Sequence, residues 1–197
     1  DLGAEKFIDI KCRKGELKPD AVVIVATVRA LKYHGGVAKA ALGEKNVEAL
    51  NNGLPNLLQH VENITKNFGL PVVVAVNKFP TDTEEELNLI QHKCKELGVN
   101  VALSEVWGKG SEGGIELAKE VLELCEKPNN FKYVYPFDMS IEGKINAISQ
   151  KIYRADKAVF TAAARKQLVN IEKLGFSQLP ICMAKTQFSF SDDPTLL

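Results

Sequence analysis

Five consecutive apolar residues, Val72-Val73-Val74-Ala75-Val76, constrain this chain more than any other stretch. Bounded by Pro71 and Asn77, the run is too short for a helix and rich in β-branched side chains, so it reads as a strand. No polar residue interrupts it. Both faces of its sheet must therefore be covered, as in parallel sheets flanked by helices.

The surrounding pattern supplies those helices. Leu54, Leu57, Leu58, Val61 and Ile64 form an i, i+3, i+4, i+7 stripe that ends at Gly69 and Pro71. Thr81 or Thr83 can cap the helix after the strand, with Glu84 or Glu86 completing a capping box, and Gly98 ends a stripe of Leu87, Ile90, Cys94 and Leu97. The unit then recurs. Val22 to Val28 and Val101 to Val106 read as further strands, the first of buried type, and Ile115, Ala118, Leu122 and Cys125 mark one helix face. Phe131 to Phe137 reads as a strand, and Ser140 caps a helix with Ile141, Ile145, Ile148 and Ile152 on its buried side. Thr161 caps another helix that reaches Gly175 through Leu168, Ile171 and Leu174, before a short strand from Pro180 to Ala184. Lys39 to Asn52, with poor periodicity and paired asparagines, reads as a long loop with a helical turn. The expectation is α/β: a mainly parallel sheet of at least four strands with helices on both faces.

Composition narrows the function. Twenty-five basic residues balance twenty-five acidic ones, giving no electrostatic case for nucleic acid or an anionic membrane. No apolar run approaches the roughly 18 residues of a membrane span, and no signal peptide is visible. Cys12, Cys94, Cys125 and Cys182 lack metal-site spacing, and His34, His60 and His92 lie far apart, so no metal is expected. Scattered thiols fit reduced, buried cysteines in a cytoplasm.

In such sheets ligands sit beyond the carboxyl ends of the strands. Three segments qualify: Arg29 to Gly36, Asn77 to Asp82, and Trp107 to Gly114. The first reads as a loop carrying Arg29, Lys32, His34, Gly35 and Gly36, glycines that let backbone N–H groups approach an anion. Asn77-Lys78 has the start of a guanine-reading motif, but Pro80 stands where its carboxylate belongs, and Asp82 suits the next helix N-terminus better. Gly108-Lys109-Gly110-Ser111-Glu112-Gly113 matches G-x-G-x-x-G, yet no strand-end acid follows about 20 residues on, which disfavours a dinucleotide. Phe79 and the sole tryptophan, Trp107, could sandwich a flat heterocycle, or either ring could simply plug the sheet end, which is the better reading of the residues alone. The acidic run Glu84-Glu85-Glu86 reads as a helix N-terminus facing water, and Asp192-Asp193 as a solvated turn. A non-catalytic nucleotide-switch domain and an NAD(P)-binding oxidoreductase domain stay open as alternatives.

Longer strings are more specific. Val25-Ala26-Thr27-Val28-Arg29-Ala30-Leu31-Lys32-Tyr33-His34-Gly35-Gly36 resembles a signature of the formate–tetrahydrofolate ligases, and Gly3-Ala4-Glu5-Lys6-Phe7 through Lys11-Cys12-Arg13 resembles the stretch leading into it. Asn77-Lys78-Phe79-Pro80-Thr81-Asp82-Thr83-Glu84, Trp107 with its glycine loop, and Leu179-Pro180-Ile181-Cys182-Met183-Ala184-Lys185-Thr186 follow in that family's order. The resemblance implies a P-loop-NTPase-like enzyme that joins formate to tetrahydrofolate through formyl phosphate. It implies ATP with Mg as substrate, a monovalent cation, and a homo-oligomer in the cytoplasm. By the same resemblance Phe79 and Trp107 clamp the folate ring, Pro80 and Leu103 line the slot, and Asn77 contacts the base. Residues 1–53 are expected to end a nucleotide-binding domain, 54–153 to form the folate platform, and 154–197 to begin a C-terminal domain. The family's Gly-Glu-Gly-Lys-Thr-type phosphate loop does not occur in the chain, so the expectation is a fragment, inactive alone, from the middle and C-terminal half of the enzyme.

Overall fold

The computed structural model describes residues 3–184, 189–193 and 195–196. These form two compact units: residues 19–130, and residues 1–18 together with 131–196.

The unit of residues 19–130 holds an open three-stranded parallel sheet of β1 (Val22–Ala26), β2 (Val72–Asn77) and β3 (Asn100–Ser104), in the order β1-β2-β3. Val22 faces Val72 in the first ladder, and Val73 faces Asn100 in the second. Around the sheet lie α1 (Val28–His34), α2 (Val47–Glu62), α3 (Glu84–Glu96), the single turn α4 (Val106–Lys109) and α5 (Ile115–Glu126). Val72 to Val76 are all buried, as the unbroken run requires. On one face Val73 and Ala102 meet Leu117, Val121 and Leu124 of α5. Because strand side chains alternate, burial of Val72, Val74 and Val76 means that the opposite face is covered as well.

Several elements depart from expectation. β1 stops at Ala26, because the Thr27 hydroxyl accepts the Ala30 N–H and caps α1. It is also an outer strand rather than a buried one, with Val25 69% exposed. The segment from Arg29 is thus helix, not loop. α2 begins at Val47, inside the stretch read as a loop, because the Asn46 side chain accepts the Ala49 N–H. On α5 the inward face is Leu117, Val121 and Leu124, whereas Ile115 and Leu122 are exposed. Both stripes satisfy helical spacing, and periodicity alone cannot choose between them. β3 ends at Ser104, two residues early.

Gly35 and Gly53 show why α1 and α2 can cross so closely. A Cβ on Gly35 would lie 1.8 Å from the Ala49 carbonyl oxygen, and one on Gly53 would lie 1.9 Å from that of Leu31. Of the two signature glycines, Gly35 therefore serves backbone-to-backbone helix packing, while Gly36, at φ 94°, ends the helix with open space around it. Across this crossing Lys32 is buried, its ammonium 3.0 Å from the Glu86 carboxylate and donating to the Glu44 carbonyl at 2.6 Å. Glu86 is accordingly not a water-facing acid.

The other unit contains a helical N-terminal segment, α-helical over Gly3–Lys6 and Arg13–Gly15 and π-helical over Phe7–Cys12, with α6 (Ile141–Lys151) and α7 (Ala162–Lys173). Its centre is the Arg13 guanidinium. It packs on the rings of Tyr133, Tyr135 and Phe137 at 4.0, 4.8 and 4.6 Å, and donates to Asp9 at 2.8 Å and to the Tyr135 carbonyl at 2.6 Å. This explains why residues 131–137 form no strand. Their backbone groups are taken by side chains: the Val134 N–H by Asp9, its carbonyl by Lys151, and the Tyr135 carbonyl by Arg13. Nor do residues 180–184 form one, since the Ile181 N–H donates to the Tyr135 hydroxyl. Lys185 and Thr186 of that motif lie outside the described residues. Lys144 is buried and donates to the Ser177 and Leu179 carbonyls. Glu5 is buried with neither carboxylate oxygen hydrogen-bonded, and burial first, then Asp9, pushes it up to about 7. Cys12 and Cys94 are buried thiols as expected, but Cys125 and Cys182 are exposed. No helix among the described residues is long and apolar enough to cross a membrane.

Candidate functional site

Parallel strands deliver β2 and β3 to one sheet edge, so the residues after Asn77 and Ser104 emerge side by side. The Lys78 N–H still donates to the Ser104 carbonyl at 3.0 Å, extending the ladder by one bond. The chain then reverses through Phe79-Pro80-Thr81-Asp82. Pro80 occupies the second position of this turn, where its fixed φ is favoured. The turn is closed twice: the Asp82 N–H donates to the Phe79 carbonyl at 3.0 Å, and the Asp82 carboxylate accepts the Phe79 N–H at 2.8 Å. Burial pushes the Asp82 carboxyl up, with the Phe79 N–H and the charges of Lys32 and Arg29 opposing it. Thr83 then caps α3 in a full capping box with Glu86. One oxygen of the Asp82 carboxylate, Oδ2, is thus committed to the turn, while Oδ1 is buried with no hydrogen-bond partner.

Beyond β3, the single turn of α4 presents Trp107. Its indole Nε1 donates to the Lys78 carbonyl at 2.8 Å, tying the end of one strand to the end of the other. The Phe79 and Trp107 ring centroids are 6.4 Å apart and their planes 23° from parallel. That spacing falls within the roughly 4.5–7 Å of a directly interacting aromatic pair, so a flat heterocycle entering between the rings must part them. Lys78, Phe79, Pro80, Glu105, Trp107, Gly108 and Lys109 line a cleft of about 300 Å³ here. Trp107 is largely exposed.

Leu103 does not line this cleft. It lies in a neighbouring one of about 480 Å³ with Ala102, Glu112, Glu116 and Glu120, and the two clefts share Glu105 and Lys109. Those two form an ion pair at 2.7 Å, and the Lys109 bond holds the Glu105 carboxyl below its usual range. The glycine loop closes on the strand end itself. The Glu105 N–H donates to the Gly113 carbonyl at 3.1 Å, and a Cβ on Gly113 would lie 2.5 Å from the Glu105 carbonyl carbon. The loop is thus packed against protein at Gly113, whereas Gly108 and Gly110 have open space beside them. Asn77 ends β2 opposite Ser104, half-buried.

Of the signature residues, only Arg29 reaches this edge. Its guanidinium carbon is 4.7 Å from the Phe79 centroid, and Nη2 donates to the Thr81 hydroxyl at 3.3 Å. Lys32 is held in the buried pair with Glu86. His34 is half-buried with Nδ1 enclosed and unbonded, and burial pushes it below its usual range. Sequence reasoning missed the Arg29–Phe79 contact and the Asp82 lock. The Pro-Thr-Asp order pointed to a turn, but nothing local pointed to Arg29, which lies 52 residues from its hydroxyl partner.

The match to the formate–tetrahydrofolate ligase family model runs over residues 1–197. The chain, signature helix and ring pair included, belongs to the formate–tetrahydrofolate ligase family.

Proposed function

We propose that this chain supplies the tetrahydrofolate-binding slot of an ATP-dependent ligase that joins formate to tetrahydrofolate. The reading rests on family membership and on one observation, the Phe79–Trp107 ring pair at adjacent strand ends. The pterin ring stacks between them, with Pro80 at its rim and Leu103 one cleft away. Stacking on an aromatic face contributes about 1–3 kcal/mol by analogy with base–aromatic stacking. In the reaction proposed, a formate oxygen attacks the γ-phosphate of ATP, the bond to the bridging oxygen breaks, and ADP leaves as formyl phosphate forms. The folate N10 amine then attacks the formyl carbon, phosphate leaves, and 10-formyltetrahydrofolate results. The role of these residues is to hold N10 in place for that attack.

Phosphoryl transfer depends on groups that position and neutralise phosphates. The 197 residues contain no Gly-rich Lys-Thr loop, so by themselves they are proposed to bind folate without making product. Asn77 is retained as a candidate base contact. Among the described residues no cluster of three His, Cys, Asp or Glu side chains is placed to hold a metal, and no step is assigned to Mg or to a monovalent cation. A cytoplasmic homo-oligomer completes the proposal, and sedimentation of the complete enzyme tests its assembly.

Trp107, as the sole tryptophan, provides the direct test of the slot. Tetrahydrofolate should quench its emission saturably, and ATP, GTP or NAD should not. Trp107→Ala and Phe79→Ala should each weaken tetrahydrofolate binding measured by calorimetry. Unchanged affinity in both folded variants would show that the rings only plug the sheet end.

A further inference from the structure

We propose that Arg29 is a positioning residue for the folate slot, bracing the Phe79 ring from outside the cleft. The proposal rests on the reading of the ring pair as that slot. The guanidinium stands over the Phe79 ring at 4.7 Å, yet Arg29 is absent from the residues lining the cleft between the rings. It therefore touches Phe79 away from the ligand. A cation over an aromatic face is attracted by the ring quadrupole and fixes the plane of the ring. The Nη2 bond to Thr81 aims the guanidinium, because Thr81 belongs to the same turn as Phe79.

The base of this brace is rigid. Arg29 sits in the first turn of α1, two residues after the Thr27 cap. The glycine crossing fixes α1 against α2, and the Lys32–Glu86 pair fixes it to the start of α3, next to the turn that carries Phe79. The backbone of Phe79 is held by Asp82, and Trp107 is held by the Lys78 carbonyl. The Phe79 ring has no polar atom with which to be anchored, and Arg29 is the group placed to restrain it. A ring that must be ordered on binding binds more weakly than one already in place.

The test compares Arg29→Ala, Arg29→Lys and Thr81→Val with Trp107→Ala and Phe79→Ala. Tetrahydrofolate affinity is read by calorimetry on this chain, and KM and kcat on the complete ligase. Arg29→Ala should raise the tetrahydrofolate Kd and KM about three- to tenfold with kcat and the KM for ATP unchanged. It should also shift the emission of Trp107 in the free protein. Arg29→Lys should recover part of the affinity, since a cation without the planar fork still meets the ring. Thr81→Val should weaken binding less than Arg29→Ala and add nothing to it. If Phe79→Ala and Trp107→Ala lose affinity while the Arg29 and Thr81 variants bind like wild type, Arg29 has no positioning role and the slot stands. If the clamp variants bind normally, the slot reading and this proposal fall together. A fall in kcat with unchanged KM in Arg29→Lys would overturn the proposal by placing Arg29 in the chemical step.

Discussion

Replacing Glu86 with Gln tests the framework behind the site, because one buried carboxylate there collects four donors. Glu86 accepts from the Asn46 N–H at 3.0 Å, the Thr83 N–H at 3.0 Å, the Thr83 hydroxyl at 2.8 Å and the Lys32 ammonium at 3.0 Å. Burial alone would raise its pKa, but these donors win and lower it from 4.5 to about 2. A downward shift of that size amounts to about 3 kcal/mol of stability. The sign follows from linkage: the contribution is complete above the ordinary carboxylate pKa and is lost as pH falls towards 2. Gln preserves the shape but leaves the Lys32 charge unmatched inside the protein, which typically costs about 3–5 kcal/mol. Urea unfolding followed by circular dichroism should therefore show Glu86→Gln destabilised by roughly that amount at pH 7. The difference from wild type should shrink between pH 4.5 and 2. A double replacement, Lys32→Met with Glu86→Leu, should cost less than the sum of its parts. A Gln penalty under about 1 kcal/mol at pH 7, set against the 3–5 expected for a broken buried pair, would refute the argument. So would a penalty that stays constant down to pH 2.

Gly53→Ala pits helix propensity against packing. Propensity favours Ala by about 1 kcal/mol, but the new Cβ would sit 1.9 Å from the Leu31 oxygen, so thermal melting should show a net loss of about 1–3 kcal/mol. Trp107→Phe keeps a ring but loses the bond to the Lys78 carbonyl. By titration it should bind tetrahydrofolate more weakly than wild type and more tightly than Trp107→Ala, whose apparent KM should rise about tenfold or more. The double Phe79→Ala, Trp107→Ala variant should fall short of additivity, because one clamp is lost only once. Glu5 gives the opposite pH signature to Glu86. Its carboxyl is raised to about 7, so stability should fall as pH rises from 4.5 to 7, and Glu5→Gln should melt higher than wild type at pH 8 but not at pH 4.

The parts of the fold set by local chemistry were legible in the sequence. The Val72 to Val76 run identified a strand covered on both faces, and Thr83 with Glu86 identified a capping box, because each signal is complete within a few residues. Parallel strands bring Phe79 and Trp107 to equivalent ends, but it was the family resemblance that singled them out as a pair. What stayed hidden depends on distant partners. Gly35 and Gly36 suggested a ligand loop, but the role of Gly35 becomes visible only once Ala49 lies against it. The alternating aromatics of residues 131–137 look like a strand until Arg13, Asp9 and Lys151 are seen to take their backbone and ring contacts. Residues 115–125 carry two apolar stripes, and only the sheet decides which one faces inward.

The outer position of β1 bears on how this protein behaves at high concentration. From Ala21 to Val28 the sequence is Ala-Val-Val-Ile-Val-Ala-Thr-Val, uncharged, free of proline and strongly β-forming. In the fold the part of it from Val22 to Ala26 lies along the sheet margin, and such a stretch is a template on which another chain can add a strand. Charges stand at each end of it, Asp20 before and Arg29 after. Flanking charges of this kind act as gatekeepers against self-association. With Arg29 drawn over the ring of Phe79, the exposed charges left beside this strand are those at its start, Lys18 and Asp20.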